Sequence, residues 1–243
     1  MKKLLLISNS TNFGENYLAW PMAEIELFLV GTGVKEALFI PYAGVSFSYD
    51  EYEKKVAGAL SNIGLKINSV HKATDPVEAV KNASCIIIGG GNTFHLVHMM
   101  HKLKLMSAVR EKALQGTPFI GWSAGSNIAC PTLRTTNDMP IVQPESFDCL
   151  NLIPFQINPH YLDPAPTIDA MIKHGGETRD DRIKEFITLN QDITVVGLRE
   201  ACSLVVEGDS VKLKGGKPLR VLKYNQEPKE YPIGSDINFL MKL

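Results

Sequence analysis

The sequence lacks the features by which secreted, membrane-spanning and nucleic-acid-binding proteins are recognised. Its four cysteines, at positions 85, 130, 149 and 202, form no C-x-x-C pair, so they predict reduced thiols in a cytoplasmic protein. No apolar run approaches the roughly 18 residues of a membrane span, and polar residues 8–11 interrupt the apolar start. With 25 basic and 26 acidic residues, no charge excess favours nucleic acid. We expect a soluble protein with neither a membrane nor a nucleic-acid partner.

What the chain does contain is an alternation of apolar, strand-like runs with helical patterns. Such alternation is typical of a mostly parallel sheet covered by helices on both faces. In the last third, glycine-containing turns separate short β-like runs, which indicates hairpins. The sequence predicts one α/β domain over residues 1–243, with a doubly wound, mostly parallel sheet and a C-terminal antiparallel β-hairpin extension. The predicted strands are Lys3–Ser8, Ala37–Pro41, Lys66–His71, Ser84–Ile88, Pro118–Trp122, Ile193–Leu198, Ser203–Glu207, Val211–Lys214 and Leu219–Lys223.

Residues 117–130, TPFIGWSAGSNIAC, predict a buried strand, an abrupt turn and a helix, with one hydroxyl at the turn. An apolar run leads into the G-W-S-A-G segment, and small or helix-tolerant residues follow. Glycine at 121 and 125 permits the strained strand-to-helix turn on which a nucleophilic serine is presented. Ser123 is therefore a candidate nucleophile, and the amide of Ala124 is a candidate oxyanion donor. The alternative is that Ser123 only caps the helix.

A nucleophilic serine needs a base, and His160 is the leading candidate among six histidines. It follows Asn158 and Pro159 at the end of an apolar run, where proteins with parallel sheets bind their ligands. A third group, a carboxylate, would orient the imidazole. Asp138 lies in a polar stretch beyond the serine's helix, and Glu200 follows a buried strand. Spacing does not choose between them, and either is alternatively a solvated loop charge.

A run of three glycines, Gly89 to Gly91, directly follows the predicted strand Ser84–Ile88. Without side chains, its backbone N–H groups can approach an anion or an oxyanion closely. Neither a P-loop nor G-x-G-x-x-G is present, so no nucleotide cofactor is predicted. We assign the second oxyanion donor to Gly90 or Gly91, against the alternative of a simple tight turn, and count Asn92 among the substrate-binding residues.

The histidines at positions 95, 98 and 101 lie on a predicted helix at spacings of three. A metal site needs ligands that share one face, with help from carboxylate or cysteine. These side chains fan out around the helix instead. We expect neither a metal nor any other cofactor.

Together these motifs resemble peptidase E, the aspartyl dipeptidase family of serine peptidases. The resemblance extends over nearly the whole chain and implies a fold similar to class I glutamine amidotransferases. In those relatives a cysteine occupies the position that Ser123 holds here. The segments that carry the resemblance are Leu6–Thr11, Phe39–Val45, Gly89–Phe94, Gly121–Gly125, Arg134–Pro140, Ile157–His160 and Gly176–Arg179.

The resemblance implies a reaction and a role for each candidate residue. Ser123 would be the nucleophile and His160 the base in removing an N-terminal aspartate from dipeptides through an acyl-enzyme. Asp138 matches the family's proposed third member, and Glu200 matches a glutamate also suggested for that role. Arg179 matches an arginine expected to bind the substrate's aspartate side chain, which a guanidinium does in bidentate fashion. The alternative for Arg179 is a surface charge at a helix start.

Other interpretations stay open at this point. A related serine hydrolase acting on β-aspartyl or cyanophycin-like peptides would share the serine turn and differ around the acidic pocket. A non-catalytic sensor would bind an acidic metabolite, although such a site usually loses one of its reactive groups. A general α/β-hydrolase esterase is disfavoured, because those enzymes place the acid before a late histidine. The segment Tyr161–Gly175 leaves the length of the substrate open.

Overall fold

A computed structural model describes residues 1–163 and 177–242 of the protein. The strands are β1 (Lys3–Ile7), β2 (Glu36–Ile40), β3 (Lys66–Ser69), β4 (Ile86–Ile88), β5 (Phe119–Trp122), β6 (Gln156–Tyr161), β7 (Val195–Arg199), β8 (Cys202–Glu207), β9 (Ser210–Gly215), β10 (Leu219–Leu222) and β11 (Lys229–Tyr231). The helices are α1 (Met22–Leu29), α2 (Tyr49–Leu60), α3 (Pro76–Lys81), α4 (Thr93–Lys102), α5 (Leu105–Leu114), α6 (Ala124–Asn127) and α7 (Arg179–Leu189).

The larger of two sheets has seven strands in the order β3-β2-β4-β5-β1-β8-β9. Its first five strands pair in parallel, which requires crossover connections, and helices α2 to α5 lie in these connections. The last two strands run antiparallel, as a hairpin placed beside β1. The prediction of a mostly parallel α/β sheet with antiparallel strands at its C-terminal side is confirmed.

A second sheet has the order β11-β10-β7-β6, with β6 parallel to β7. The sequence predicts that the run Leu219–Lys223 continues the hairpin of the main sheet, but its strand, β10, pairs with β7 instead. Every residue of β7 is buried. A buried strand needs hydrogen-bond partners on both edges, and β6 and β10 provide them.

Local signals in the sequence account for several element boundaries. Asp75 accepts a hydrogen bond from the amide of Glu78 and Pro76 begins α3, which is the predicted cap. The helical pattern that ends at Gly64 is present, but its last turn, residues 61–63, is a 3₁₀ helix. The predicted strand Lys66–His71 is shorter, since residues 70–72 form another 3₁₀ turn.

Apolar residues fill both faces of the main sheet. Leu5 of β1 belongs to a cluster on one face, and Leu4 belongs to a larger cluster on the other. The larger cluster also contains Ile157 of β6 and Val196 of β7, so the two sheets share a core. The division of the chain into domains is not tested by this packing, and the single domain stays a prediction.

The four cysteines are all free thiols, and three of them are buried. This agrees with the reduced state expected from their spacing, while the cytoplasmic location stays a prediction. Among the described residues, no helix combines the length and the apolar character that crossing a membrane would require.

Candidate active site

Ser123 stands between β5 and α6 in a strained backbone conformation, with φ 54° and ψ −114°. A Cβ added to Gly121 would lie 2.0 Å from the carbonyl oxygen of Gly125, and one added to Gly125 would lie 2.0 Å from that of Ile88. Only glycine fits such approaches. The tight turn predicted for the G-W-S-A-G segment is therefore present. Such strain costs about 1–3 kcal/mol and is typical of functional sites.

His160 lies near the end of β6, within an irregularity of the β6–β7 register between Pro159 and Tyr161. Its φ of 51° departs from the strand conformation, and an irregularity of this kind can re-aim a side chain. The imidazole reaches the serine: Nε2 is 2.9 Å from the Oγ of Ser123. The structure thus brings together the two residues that the sequence singled out as nucleophile and base.

Glu200 directly follows β7, and its Oε1 lies 2.7 Å from Nδ1 of His160. A carboxylate only accepts hydrogen bonds, so Nδ1 donates and Nε2 of the neutral ring is left to accept from the hydroxyl of Ser123. The side chains of His160 and Glu200 are 39% and 44% exposed, so the array opens to solvent. Its order, hydroxyl to imidazole to carboxylate, is that of an activated nucleophile.

Asp138, the other carboxylate left open by the sequence, does not contact His160. Its Oδ2 accepts hydrogen bonds from the backbone amide of Thr93 at 2.7 Å, from the hydroxyl of Thr93 at 2.6 Å and from that of Thr136 at 3.0 Å. Thr93 is the first residue of α4, so Asp138 satisfies an amide that has no partner within the helix. The position of Asp138 is that of a group that holds the start of α4.

Asn92 is also engaged in the fold rather than directed at the serine. Its Oδ1 accepts from the amide of His95 at 3.0 Å, and its Nδ2 donates to the carbonyl oxygen of Met139 at 2.9 Å. Asn92 is thus the N-cap of α4. It joins this helix to the loop that carries Asp138.

The backbone amides beside Ser123 are available to a ligand. Ala124 begins α6, so its amide has no acceptor within the helix. The described residues supply no hydrogen-bond acceptor to the amides of Gly90 and Gly91. A Cβ added to Gly90 would lie 3.0 Å from Cβ of Ser123, which places the glycine run against the serine. The hydroxyl of Tyr52 donates to the carbonyl oxygen of Gly90 at 2.9 Å and fixes the orientation of this turn.

Ser123 and His160 open into a pocket of about 330 Å³. Lys55 lines it, a residue that the sequence analysis missed. Its ammonium lies 4.1 Å from the centre of the Tyr17 ring, a cation–π contact. The sequence contains a weak indication that Lys55 shares this pocket with Tyr52, because the two residues are three apart and so lie on one face of α2. The other lining residues are Ser10, Tyr17, Phe47, Tyr52, Gly90, Gly91 and Trp122.

A second cavity, of about 680 Å³, contains Arg179 but not Ser123. Arg179 is the first residue of α7, and the cavity also takes in Asp138 and Asn137. Asn137 donates to the carbonyl oxygen of Pro159 at 2.6 Å, so this cavity borders the peptide group that precedes His160. The buried Oδ1 of Asn158, also in its wall, has no partner among the described residues. This cavity offers a ligand both cationic and anionic groups.

An ion-pair network lies directly before Glu200. Arg199 is 6% exposed and forms ion pairs with Asp163 and Glu230. Hydrogen bonds from Arg199 lower the pKa of Asp163. Partial burial raises the pKa of Glu230, but the bonds from Arg199 and Arg220 outweigh it and lower the pKa overall. These pairs anchor the end of β7 from which Glu200 projects.

Two of the three helical histidines bind different parts of the fold. Nδ1 of His95 is 2.6 Å from the carbonyl oxygen of Tyr42, and Nε2 of His101 is 3.0 Å from that of Asp148. A different group of three candidate metal ligands occurs in the described part of the chain. The ammonium of Lys72 already pairs with two of its carboxylates. This group consists of Asp50, Glu53 and His71.

Comparison with known proteins shows the family to which the chain belongs. The family model described as Peptidase family S51 matches residues 4–214. The chain belongs to this family. A peptidase E from Nostoc sp. is 47% identical over 241 residues, covering 99% of this chain and 97% of its own. A peptidase E from Streptomyces coelicolor is 43% identical over 238 residues, covering 98% and 94%. The protein is therefore a peptidase of family S51, and the resemblance to peptidase E is confirmed.

Two solved structures share the fold of this S51 peptidase. A peptidase E candidate from Listeria monocytogenes EGD-e superposes with a TM-score of 0.64 at 22% identity, covering 88% of this chain and 98% of its own. A peptidase from an acI-B1 Actinobacterium gives a TM-score of 0.70 at 17% identity, covering 98% and 96%. At these identities the likeness concerns the fold alone.

The buried thiols lead to a first prediction about the nucleophile. Burial raises the pKa of Cys85 and of Cys130 to about 12, so at pH 8 only about one thiol in 10⁴ is ionised and reactive. Iodoacetamide at pH 8 should leave both residues unmodified in the native enzyme, and peptide hydrolysis should be unchanged. Mass spectrometry after treatment with and without denaturant provides the measurement and its control. Modification of Cys130 with parallel loss of activity would contradict the expectation.

Proposed function

We propose that this S51 peptidase is a serine dipeptidase that cleaves the bond after an N-terminal aspartate through an acyl-enzyme. The observation that supports the serine mechanism most is the continuous hydrogen-bonded array of Ser123, His160 and Glu200, here called the triad. Its two contacts span 2.9 Å and 2.7 Å, within the range in which a base can take a proton from a nucleophile.

The proposed reaction begins when Oγ of Ser123 attacks the carbonyl carbon of the scissile bond while its proton moves to Nε2 of His160. Glu200 keeps the imidazole in the correct tautomer and stabilises the imidazolium that forms. Negative charge develops on the carbonyl oxygen. The amides of Ala124 and of Gly90 or Gly91 are suited to stabilise it. His160 then passes its proton to the leaving amine, and water releases the acyl group by the reverse sequence of proton transfers.

Between the two candidate carboxylates we assign the orienting role to Glu200. The hydrogen bond that Nδ1 of His160 donates to Glu200 supports this choice, and the three contacts of Asp138 with Thr93 and Thr136 support a structural role for Asp138. Asp138 also borders the cavity of Arg179. An anion in that position would suit the α-ammonium group of a substrate.

For the aspartate side chain we propose Arg179 as the ligand. The cavity around Arg179 adjoins the peptide group before His160, and a guanidinium binds a carboxylate in bidentate fashion while offering no comparable site to a neutral amide. Lys55 is the competing cation, because it lines the pocket of Ser123 itself. The two assignments differ in which substitution removes the preference for aspartate.

Replacing the proposed nucleophile tests the serine mechanism. Ser123→Ala should lower kcat for hydrolysis of Asp-Leu by about 10⁴-fold or more, as loss of a triad serine does elsewhere. The melting temperature should change little, since the side chain of Ser123 is only partly buried and its hydroxyl contacts the partly exposed imidazole of His160. A fluorophosphonate probe should label Ser123 in the unmodified enzyme and label nothing in the variant. Full activity in Ser123→Ala would remove the serine mechanism.

A matched pair of amide substitutions separates the two carboxylates. Glu200→Gln should lower kcat by about 10⁴-fold, because the introduced amide donates to Nδ1 and forces the wrong tautomer on His160. Asp138→Asn should lower kcat far less and should lower the melting temperature, since the start of α4 loses a charged acceptor. Steady-state kinetics and thermal unfolding of both variants are the measurements. The reverse order of effects on kcat would reassign the orienting role to Asp138.

Charge removal tests the proposed specificity. Arg179→Met should lower kcat/KM for Asp-Leu by about 10- to 100-fold, the usual range for a charge-assisted hydrogen bond, and should leave Asn-Leu nearly unaffected. Lys55→Met is the matched control and should keep the preference for Asp-Leu over Asn-Leu. If only Lys55→Met abolishes the preference, the aspartate side chain binds in the serine's pocket instead. A β-Asp-Leu substrate in the same panel tests the related β-aspartyl activity.

A further inference from the structure

A backbone amide at or next to each member of the triad is hydrogen-bonded to one short segment, Ile7-Ser8-Asn9, at the carboxyl end of β1. The carbonyl oxygen of Ile7 accepts a hydrogen bond from the amide of Ser123 at 3.0 Å. The hydroxyl of Ser8 accepts from the amide of His160 at 2.9 Å. Consecutive residues of one strand end thus hold the nucleophile on the main sheet and the base on the second sheet.

Asn9 makes the corresponding contact with the backbone next to Glu200, the carboxylate of the triad. Its Oδ1 accepts from the amide of Ala201, the residue after Glu200, at 2.9 Å. Ala201 has a φ of 63°, so this peptide also lies in a conformation that side-chain-bearing residues rarely adopt. Asn9 is itself held, because its Nδ2 donates to the carbonyl oxygen of Thr11 and to Oδ1 of Asn12, both at 2.9 Å. Asn9 is 1% exposed and therefore shielded from competing water.

Ser8 makes the most constrained of these contacts. Its side chain is fully buried, and its Oγ donates to the carbonyl oxygen of Leu198 at 2.8 Å while accepting from His160. A hydroxyl has one proton, so the two contacts define its orientation completely. Its own amide donates to the carbonyl oxygen of Cys202 at 3.0 Å. Ser8 therefore bridges β6 and the end of β7, the strands that carry His160 and Glu200.

The irregular backbone at His160 explains why a side chain, and not a neighbouring strand, accepts the hydrogen bond from the His160 amide. With a φ of 51°, the amide of His160 leaves the regular strand pattern, and a buried amide without an acceptor is unfavourable. Ser8 supplies that acceptor. The carbonyl oxygen of the same peptide group, that of Pro159, accepts a hydrogen bond from the side chain of Asn137 at 2.6 Å. Both polar groups of the peptide that joins Pro159 to His160 are thereby held by side chains from other segments.

We propose that Ser8 is a positioning residue for the peptidase reaction: its hydroxyl holds the backbone of His160 in the conformation that aims Nε2 at Ser123. Ser8 acts through His160 and takes no part in the wall of the serine's pocket. The inference rests on the proposed triad chemistry. Because a displacement of about 1 Å in a reacting group can cost 10²-fold in rate, a lost hydroxyl here should appear in kcat.

The test compares Ser8→Ala with a matched control, Ser203→Ala. Ser203 lies opposite Ile7 on β8, is 1% exposed, and its hydroxyl has no partner among the described residues. Ser8→Ala should lower kcat for Asp-Leu by about 10- to 100-fold, with KM nearly unchanged and the rate of fluorophosphonate labelling of Ser123 lowered in parallel. Ser203→Ala should leave kcat, KM and the labelling rate close to those of the unmodified enzyme.

Equal losses in the two variants, or an unchanged kcat in folded Ser8→Ala, would overturn the proposal. Should Ser8→Ala fail to fold, Ser8→Cys preserves the shape with a weak donor and acceptor, and it should show the same selective loss of kcat. If the proposed triad itself is wrong, the experiments give a different result. In that case Ser123→Ala would retain labelling and turnover, whereas failure of this inference alone leaves Ser123 essential and Ser8 dispensable.

Discussion

The hydrogen bond from the amide of His160 to Oγ of Ser8 joins two sheets at the point where their reactive residues meet. Ser123 follows β5 of the main sheet, whereas His160 lies in β6 and Glu200 directly follows β7 of the second sheet. The proposed triad is therefore assembled across a contact between sheets. Its geometry depends on how the end of β1 holds the second sheet, more than on any single loop.

Three residues with strained backbone conformations surround this contact. Ser123, His160 and Ala201 all have positive φ values, between 51° and 63°, and each amide has an acceptor in residues 7–9. Conformations of this kind persist only where the surroundings over-determine them. The shared core of both sheets and the ion pairs of Arg199 supply that rigidity. Packing and polar contacts thus converge on the same few peptide groups.

The local parts of the site could be predicted from the sequence, and the long-range parts could not. The glycines on either side of Ser123 predict its tight turn. Asn158 and Pro159 predict that the side chain of His160 emerges at the end of a strand. The choice between Asp138 and Glu200 depends on the parallel pairing of β6 with β7, which no short motif specifies. For the same reason the prediction wrongly placed the run Leu219–Lys223 in the hairpin extension of the main sheet, whereas its strand pairs with β7 of the second sheet. In the sequence, Ser8 is recognisable only as the polar residue at the end of an apolar strand.

The hydroxyl of Ser123, the imidazole of His160 and the neighbouring backbone amides are proposed to form one reactive centre. A crystal structure of the enzyme after reaction with a fluorophosphonate measures this directly. We expect phosphorus bonded to Oγ of Ser123, with the phosphonyl oxygen within hydrogen-bond distance of the amide of Ala124 and of Gly90 or Gly91, and Nε2 of His160 nearby. Phosphorus on another residue, or a phosphonyl oxygen directed into solvent away from these amides, would contradict it.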